Sequence, residues 1–377
     1  MAKLGEVFTI ASGGTPDKKK PFYYENGTIP WVKTGDLKTQ YVPEGIECIT
    51  EEGLNNSSAK LFPPNTVLVA MYGATIGACS ILSYEAATNQ ACAAFLPNEN
   101  VLPTYLYYFL SSKREQFVKD GVGGAQPNIS AGYLKNVQFG LIPMQQQIDI
   151  VEKLDKVEKL IALRKEQLAK LDQLVKSRFV ELFGDTPDEE KKTMADICKI
   201  ITDGTHQPPK FTSTGIPFLF VSNIVTNEIH YDAEKFISEE TYAELIKRTP
   251  IAIGDILLST VGSYGHPAVV KSDKPFCFQR HIAYLKPNAD MVNSEYLRGA
   301  ILSADVQRQI DERVKGIAQK TLNLSEIRKL QLPLPSMEQQ EQFAAFVEQT
   351  DKSKLAIQYS LNKLELLKKS LMQKYFG

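Results

Sequence analysis

Polar side chains that suit hydrogen bonding to DNA base edges occur in two matching sets along the chain. Asn, Gln, Arg, Lys, Ser and Thr read the major groove when rigid loops hold them. The first set of candidates is Gly14, Thr15, Lys33, Thr34, Tyr72, Thr75, Asn89, Gln90, Gln126 and Asn128. The second set is Thr205, His206, Ser222, Asn223, Ser263, Tyr264, Gln279, Arg280, Gln319 and Lys320. Gln279 and Arg280 are the strongest candidates, because each can form two hydrogen bonds with one base.

Each of these residues also has a purely structural interpretation. Polar loop residues commonly form turns or bond to backbone, and glycines serve backbone geometry. Lys18, Lys19, Lys20 and Lys210 are better suited to phosphate groups, where no sequence is read.

The sequence carries no motif for catalysis or metal binding. It lacks the N-P-P-[FYW] or D-P-P-Y phrase of amino-methyltransferases, a Gly-rich loop for S-adenosylmethionine after a strand, and a phosphate loop. The acidic run at 187–191 resembles a nuclease carboxylate cluster but fits a solvated linker better. Five cysteines without a CxxC pair and four scattered histidines predict buried thiols and no metal site.

Bulk properties predict an intracellular, cytoplasmic protein of two or more domains. The chain has 377 residues, 43% of them hydrophobic, and no apolar run long enough to span a membrane. The N-terminus has no signal-peptide pattern. A net charge of -1 neither supports nor excludes DNA binding, since charges can be segregated on the surface.

The most informative feature is an internal duplication. KLGEVFTIASGGTP at 3–16 parallels TMADICKIITDGTH at 193–206, which matches Gly14 with Gly204. NTVLVAMYGATIG at 65–77 parallels GDILLSTVGSYG at 254–265, and TNQ at 88–90 parallels CFQ at 277–279. GLIPMQQQ resembles LPLPSMEQQ, and SRFVELFG resembles SLMQKYFG. The duplication predicts two similar structural halves.

Each half combines a β-rich domain with a long helix. Short β-type runs broken by Gly and Pro occupy 1–142 and, after a short linker, 185–335, whereas 143–184 and 336–377 are free of internal Gly and Pro and rich in Leu, Lys, Glu and Gln. The seam positions of 143–184 alternate in gaps of three and four, with Arg164 and Arg178 filling two places between apolar residues, and 336–377 follows the same spacing. The apolar residues are Ile150, Leu154, Val157, Ile161, Leu168, Leu171, Val175, Leu182, Ile357, Leu361, Leu364 and Leu371. This heptad pattern predicts two helices of about 50 Å, each with one apolar face. The duplication favours antiparallel pairing of the two helices within the chain, with approximate twofold symmetry, and separate dimerisation coiled coils are the alternative.

In these motifs the chain resembles the specificity subunit of type I DNA restriction–modification systems over essentially its whole length. The Q-rich phrases that open the helices carry the resemblance most strongly, and the G-G-T-P, D-G-T-H, Y-G-A-T-I-G and V-G-S-Y-G phrases agree with it. The resemblance implies an α+β protein in which two target-recognition domains each read one half of a bipartite DNA site. It also implies that the helices set the gap between the halves and bind two modification (methyltransferase) subunits, which restriction (translocase–nuclease) subunits join. S-adenosylmethionine, ATP and Mg²⁺ would be bound by those partners.

The repeated polar residues at the helix starts suggest equivalent partner sites, although helix capping would give the same pattern. They are Gln145, Gln146, Gln147, Glu338, Gln339 and Gln340. The alternatives to a specificity subunit are an enzyme, a coiled-coil adaptor and a stand-alone DNA-binding repressor. The missing motifs oppose the enzyme, and two diverged domains with polar loops oppose the adaptor. Co-purification with a methyltransferase would distinguish the specificity subunit from the repressor.

Overall fold

The computed structural model describes residues 1–122, 128–316 and 320–377, so the candidates Gln126 and Gln319 lie outside the described residues. The chain forms two compact units. The first comprises Met1–Arg164 together with Ser360–Gly377, and the second comprises Lys165–Tyr359. Both long helices therefore contribute one segment to each unit.

The chain alternates short strands with helices, as an α+β protein does. The α-helices are Leu4–Val7, Glu51–Asn55, Pro103–Ser112, Arg114–Asp120, Ala131–Asn136, Met144–Phe183, Met194–Ile197, Glu239–Leu245, Ser294–Leu302, Ala304–Arg313, Leu324–Ile327 and Met337–Phe376. Short 3-10 helices are Pro21–Tyr23, Thr34–Asp36, Gly73–Thr75, Asp188–Glu190 and Val221–Asn223.

The first unit holds two four-stranded sheets and one short strand pair. The first sheet is antiparallel, in the order Ile10–Ser12, Cys92–Phe95, Val67–Ala70 and Cys79–Ile81. The second has the order Cys48–Ile49, Ile29–Val32, Ala86–Thr88 and Leu61–Phe62, and its two central strands are parallel. The short pair joins Ala2–Lys3 to Gln138–Phe139.

Within its described residues, the second unit repeats this topology with a smaller sheet of three strands instead of four. Its larger sheet has the order Cys198–Asp203, Ile282–Pro287, Ile256–Ser259 and Pro267–Val269. Its smaller sheet has the order Phe236–Ile237, Ile216–Leu219 and Cys277–Phe278, again with one parallel pair. Lys192–Thr193 pairs with Gln331–Leu332. The duplication seen in the sequence is thus a duplication of sheet order and strand direction.

The strand pairing corrects the repeat alignment at two places. Thr88 lies opposite Val32, and Phe278 lies opposite Leu219 in the matching parallel pair. The expected match of TNQ with CFQ is therefore wrong by one residue, and 88–90 corresponds to 278–280.

The second correction concerns a glycine in the first strand of each larger sheet. Ser12 pairs with Ala93, whereas Asp203 pairs with Ala283, because a bulge at Cys198–Ile200 adds one residue. Gly204 therefore matches Gly13 and not Gly14.

The two long helices are Met144–Phe183 and Met337–Phe376, of 40 residues each. At 1.5 Å per residue, each is about 60 Å long. A proline precedes each one closely, and the N–H of the following Gly184 or Gly377 bonds back to a carbonyl in the last turn. These residues begin and end the helices as the sequence predicts.

Ion pairs show that the helices run antiparallel. In the first unit Glu158 pairs with Lys368, and in the second unit Asp172 pairs with Lys354 at 2.6 Å. Asp172 lies 14 residues after Glu158, whereas Lys354 lies 14 residues before Lys368, so the register is constant. The two helices thus pair antiparallel within this chain, as expected.

The helix seam is largely the expected one, with a change at its end. Leu154, Val157, Ile161 and Leu361 are buried along it. Leu182 was expected in the seam but is 40% exposed, whereas Phe183 is buried. The cause is that the helix end turns an aromatic side chain into the second domain, where Phe183 packs edge-on against Tyr296.

Both helix ends are anchored in domain cores by aromatic rings. In the first unit Phe376 packs against Tyr105 and Phe109, and its carbonyl accepts a hydrogen bond from Lys113 Nζ at 2.5 Å. In the second unit Phe179, Phe183, Tyr296 and Phe343 form one cluster.

The described part of the chain contains no helix long and apolar enough to cross a membrane. All five cysteines are free thiols, and burial raises the pKa of Cys92 and of Cys277 to about 12.

Candidate nucleic-acid interface

In the first unit, parallel strand pairing brings several predicted loops to one edge. Strands Ile29–Val32 and Ala86–Thr88 end side by side, so the loops that follow them are neighbours. The Asn89 N–H donates to the Val32 carbonyl at 3.0 Å. The Thr15 hydroxyl donates to Gln90 Oε1 at 2.5 Å. Three predicted candidates therefore lie together at this edge of the sheet, although they come from distant parts of the sequence.

The loop after Val67–Ala70 contributes another pair of candidates. Tyr72 is exposed and forms a bridge with Asn128, and the Ile129 N–H donates to the Met71 carbonyl at 3.0 Å. Thr75 Oγ1 donates to the Tyr72 carbonyl at 3.3 Å. Gly73 has a φ of 67°, a conformation that favours glycine, and so allows this tight turn.

The second unit gathers its candidates in the same way. The Gln279 N–H donates to the Leu219 carbonyl at 3.2 Å, and the Arg280 N–H donates to the Thr205 carbonyl at 3.1 Å. Val261, in the loop that also holds Ser263 and Tyr264, forms a bridge with Thr321. Lys320 places its ammonium 6.0 Å from the Tyr264 ring centroid.

A cleft of about 420 Å³ opens at this second edge, and Asp203, Arg280 and His281 line it with residues 260–261 and 321–324. The Asp203 carboxylate is held by Arg248 at 2.5 Å and by His206 at 2.9 Å. Arg280 is exposed, and its Nε lies 3.4 Å from His281 Nε2. Burial and the charge of Arg280 lower the pKa of His281, which favours the neutral imidazole that can accept this bond.

Three predicted contact residues are committed to structural roles instead. Gly14 is buried; its carbonyl accepts a hydrogen bond from Trp31 Nε1, and a Cβ there would lie 2.0 Å from Ser58 Oγ. The Asn223 amide accepts from the Phe220 N–H and donates to the carbonyls of 230 and 232, so it braces its own loop. Gly14 therefore serves close backbone packing, and both N–H groups of the Asn223 amide are already used within its loop.

Lys33 is the third. Its ammonium pairs with Glu47 at 2.5 Å and lies over the Trp31 ring. The hydrogen bond that Lys33 donates to Glu47 raises the pKa of Lys33, so the pair is a local ionic contact and not a free cation.

The remaining candidates lie on turns at the same two edges. Thr34 and Ser222 sit in matching 3-10 turns, Ser263 and His206 are exposed, and Thr205 Oγ1 donates to the Gln207 carbonyl at 2.9 Å. Lys18, Lys19, Lys20 and Lys210 are all exposed, as phosphate contacts would require.

Arg248 and His281 also belong to the second edge, although the sequence did not identify them as candidates. His281 directly follows the candidate Arg280, so its neighbourhood was visible in the sequence. Arg248 reaches Asp203 across 45 positions, and no local pattern signals such a contact.

The glutamines at the helix starts divide into buried and exposed residues. Gln147 and Gln340 are 0% exposed, so the expectation that they contact a partner is wrong. Gln147 bonds to the Leu102 N–H and to the carbonyls of Asn100 and Ile142. Gln340 bonds in the same way to Asn293, Met291 and Pro335. The exposed members of the set are Gln145, Gln146, Glu338 and Gln339.

Apolar side chains lie exposed on the outer faces of both long helices. Leu355, Tyr359 and Leu366 fall on the side of their helix opposite the buried Leu361 and the half-buried Leu364. The first long helix exposes Leu160, Leu163 and Leu174. Exposed apolar stripes of this kind are typical of surfaces that bind another protein.

Within the described residues, no group of three or more His, Cys, Asp or Glu side chains is arranged to hold a metal ion. The candidate side chains at both edges are hydrogen-bond donors, acceptors and cations on loops.

Comparison with known proteins agrees with this geometry. A family model described as the type I restriction modification DNA specificity domain matches residues 1–173 and 188–366. The MjaIX specificity subunit of Methanocaldococcus jannaschii is 25% identical over 375 residues, covering 92% of this chain and 85% of the relative. The EcoR124I/EcoR124II specificity subunit of Escherichia coli is 31% identical over 162 residues, which is 42% of this chain and 40% of the relative.

Solved structures support the fold. The S subunit of a type I system from M. genitalium has a TM-score of 0.55 at 15% identity and covers 100% of this chain and 95% of that one. A chain from a structural study of type I R-M complex assembly has a TM-score of 0.59 at 18% identity, with coverage of 100% and 96%. With the domain model matched twice along its length, the chain belongs to the family of type I restriction–modification DNA specificity subunits.

Proposed function

We propose that the two globular domains of this DNA specificity subunit each read one half of a bipartite DNA sequence. The observation that carries the proposal is the convergence of matching loops at one edge of each unit, with different side chains at matching places. The first edge has Gln90 where the second has Arg280, and Thr15 where the second has His206. Since different side chains read different bases, the two half-sites should be unlike.

The braced backbone at both edges supports direct readout. Base discrimination requires side chains whose position is fixed before binding. The N–H groups of Gly14, Asn89, Thr205 and Gln279 each donate to a carbonyl of a neighbouring strand, which ties their loops to the sheets. Exposed lysines at 18–20 and 210 lie in the loops that follow the first strand of each larger sheet. These lysines would hold the phosphate backbone, and the braced loops would read the bases.

The long helices would set the gap and bind the partner subunits. Their exposed leucines offer apolar area to two modification (methyltransferase) subunits, and restriction (translocase–nuclease) subunits would join that complex. S-adenosylmethionine, ATP and Mg²⁺ would be held by those partners, so this chain would contribute recognition without chemistry. The complex would act on cellular DNA, which places it in the cytoplasm.

Affinity purification tests this assignment against a repressor that acts alone. The tagged chain would be co-expressed with its neighbouring modification subunit, and DNA binding would be measured with and without that subunit. We expect a stable complex with two modification subunits per chain and sequence-specific DNA binding. A chain that binds DNA specifically but retains no modification subunit would support the repressor instead.

A further inference from the structure

The two recognition edges carry different side chains at one equivalent position, 90 in the first unit and 280 in the second. The residues before them, Asn89 and Gln279, donate their N–H groups to the ends of matching strands. The carbonyls of the residues after them, 91 and 281, accept from matching loops at 71 and 260. Gln90 and Arg280 are therefore held between the same two backbone contacts.

The Arg280 guanidinium is oriented through its Nε, whereas its two terminal nitrogens are left for another partner. Its Nε lies against His281 Nε2 at 3.4 Å, and its backbone is fixed by Thr205. Its two terminal nitrogens have no hydrogen-bond partner among the described residues, and the nearby Asp203 carboxylate is already bound by Arg248 and His206. The terminal nitrogens thus remain available as a pair of donors beside the cleft.

Gln90 is oriented from a different side. Residue 91 is alanine, which cannot act as His281 does, and the Thr15 hydroxyl instead donates to Gln90 Oε1. Gln90 is exposed, and its amide nitrogen has no partner among the described residues. An amide oxygen has two lone pairs, so Oε1 retains the capacity to accept a second hydrogen bond. The side chain therefore offers one donor and one acceptor.

We propose, on the basis of the DNA-reading function above, that Arg280 reads a guanine in one half-site and that Gln90 reads an adenine at the equivalent step of the other. In the major groove guanine presents two acceptors, N7 and O6, which match the two terminal donors of Arg280. Adenine presents an acceptor at N7 and a donor at N6, which match the amide of Gln90.

The test exchanges the two side chains. The wild-type chain, the Arg280→Gln variant and the Gln90→Arg variant would each be expressed in cells with the modification subunit. The methylated motifs would be determined by single-molecule sequencing. The purified complexes would then be titrated with DNA duplexes that carry all four base pairs at each position of the wild-type motif. Arg308→Gln removes the same charge from an exposed helix position of the same unit and serves as the matched control.

We expect Arg280→Gln to remove the preference for guanine at one position of one half-site, a loss of about 5- to 150-fold in discrimination. Gln90→Arg should act on an adenine of the other half-site, and Arg308→Gln should change neither. If Arg280→Gln abolishes methylation in cells, the duplex titration measures the preference for guanine instead, and the same loss of discrimination is expected there. Unchanged discrimination at every position of both half-sites would overturn the proposal while leaving bipartite recognition intact. A wild-type chain that directs no methylation and binds no specific DNA would instead refute the proposed function.

Discussion

Gln340 Oε1 accepts a hydrogen bond from the backbone N–H of Asn293 at 2.9 Å, which ties the start of a long helix to the domain it follows. Gln147 makes the same bond to Leu102, also at 2.9 Å, at the equivalent place of the first unit. Each amide nitrogen also donates to two backbone carbonyls, so one buried side chain serves three backbone groups. These glutamines fix where each helix leaves its domain.

Gln147→Ala should therefore destabilise the first unit. Removal of the amide leaves the Leu102 N–H and the carbonyls of Asn100 and Ile142 without the partner of three part-buried hydrogen bonds, at a total cost of about 1–3 kcal/mol. Urea unfolding monitored by far-UV circular dichroism would measure the loss. Gln146→Ala, at the exposed neighbouring position, should leave the midpoint nearly unchanged. Equal midpoints for the two variants would contradict the structural role.

Gly299→Ala should destabilise the second unit through overpacking. A Cβ at 299 would lie 2.5 Å from Cε1 and 2.8 Å from Cζ of Phe343, which is fully buried against other rings. Overpacking of this kind costs about 1–3 kcal/mol. Phe343→Leu in the Gly299→Ala background should recover part of the loss, because the smaller side chain makes room.

Gly132→Ala is the matched control, since its Cβ would meet only Ser130 Oγ at 3.5 Å. Alanine is the better helix former, so this variant should be neutral or slightly stabilising. If Gly299→Ala behaved like Gly132→Ala in thermal unfolding, the close packing at Phe343 would be wrong.

Leu366→Glu should weaken binding of a modification subunit without unfolding the chain. Leu366 is 68% exposed on the face of its helix away from the seam, so glutamate is tolerated there in the free chain. Burying a leucine contributes about 1.5–3 kcal/mol, so its loss should weaken binding by at least about tenfold. Lys369→Glu, an exposed change in the next turn, separates the loss of leucine from added negative charge. Titration calorimetry that showed equal affinities for both variants would exclude Leu366 from the docking face.

One heptad inserted into both helices should lengthen the gap between half-sites. The matched places lie after Ile161 and after Leu364, which the constant ion-pair register sets opposite each other. Seven residues add about 10 Å, or about three base pairs of B-DNA. The methylated motif of the variant should keep both half-sites and gain unread base pairs between them. New half-sites with an unchanged gap would refute the role of the helices as a spacer.

The sequence was sufficient to predict elements whose signal is local and repeated. The heptads predicted both long helices, because a period in the chain becomes a face of a helix. The duplication predicted their antiparallel pairing within the chain. The sequence also predicted loops that the structure brings together, such as those of Thr15 and Gln90, because each follows a matching motif in the two halves.

The sequence could not predict contacts between residues that lie far apart along the chain. The burial of Gln147 and Gln340 and the bond of Asp203 to Arg248 depend on how elements pack. The two halves also fill equivalent places in their cores with side chains of different size. Tyr108 and Ile150 of the first unit stand where the second has Gly299 and Phe343, so the matched positions look unrelated in the sequence. The one-residue shift at 88–90 likewise became visible only in the strand pairing.

Single-molecule methylome sequencing tests the central claim most directly. Cells expressing the chain with its neighbouring modification subunit would be compared with cells in which the chain is deleted. Recognition of DNA by two different domains predicts a methylated motif with two unlike halves separated by unread base pairs, absent after deletion. A motif that is continuous, that has two identical halves, or that persists without the chain would contradict it.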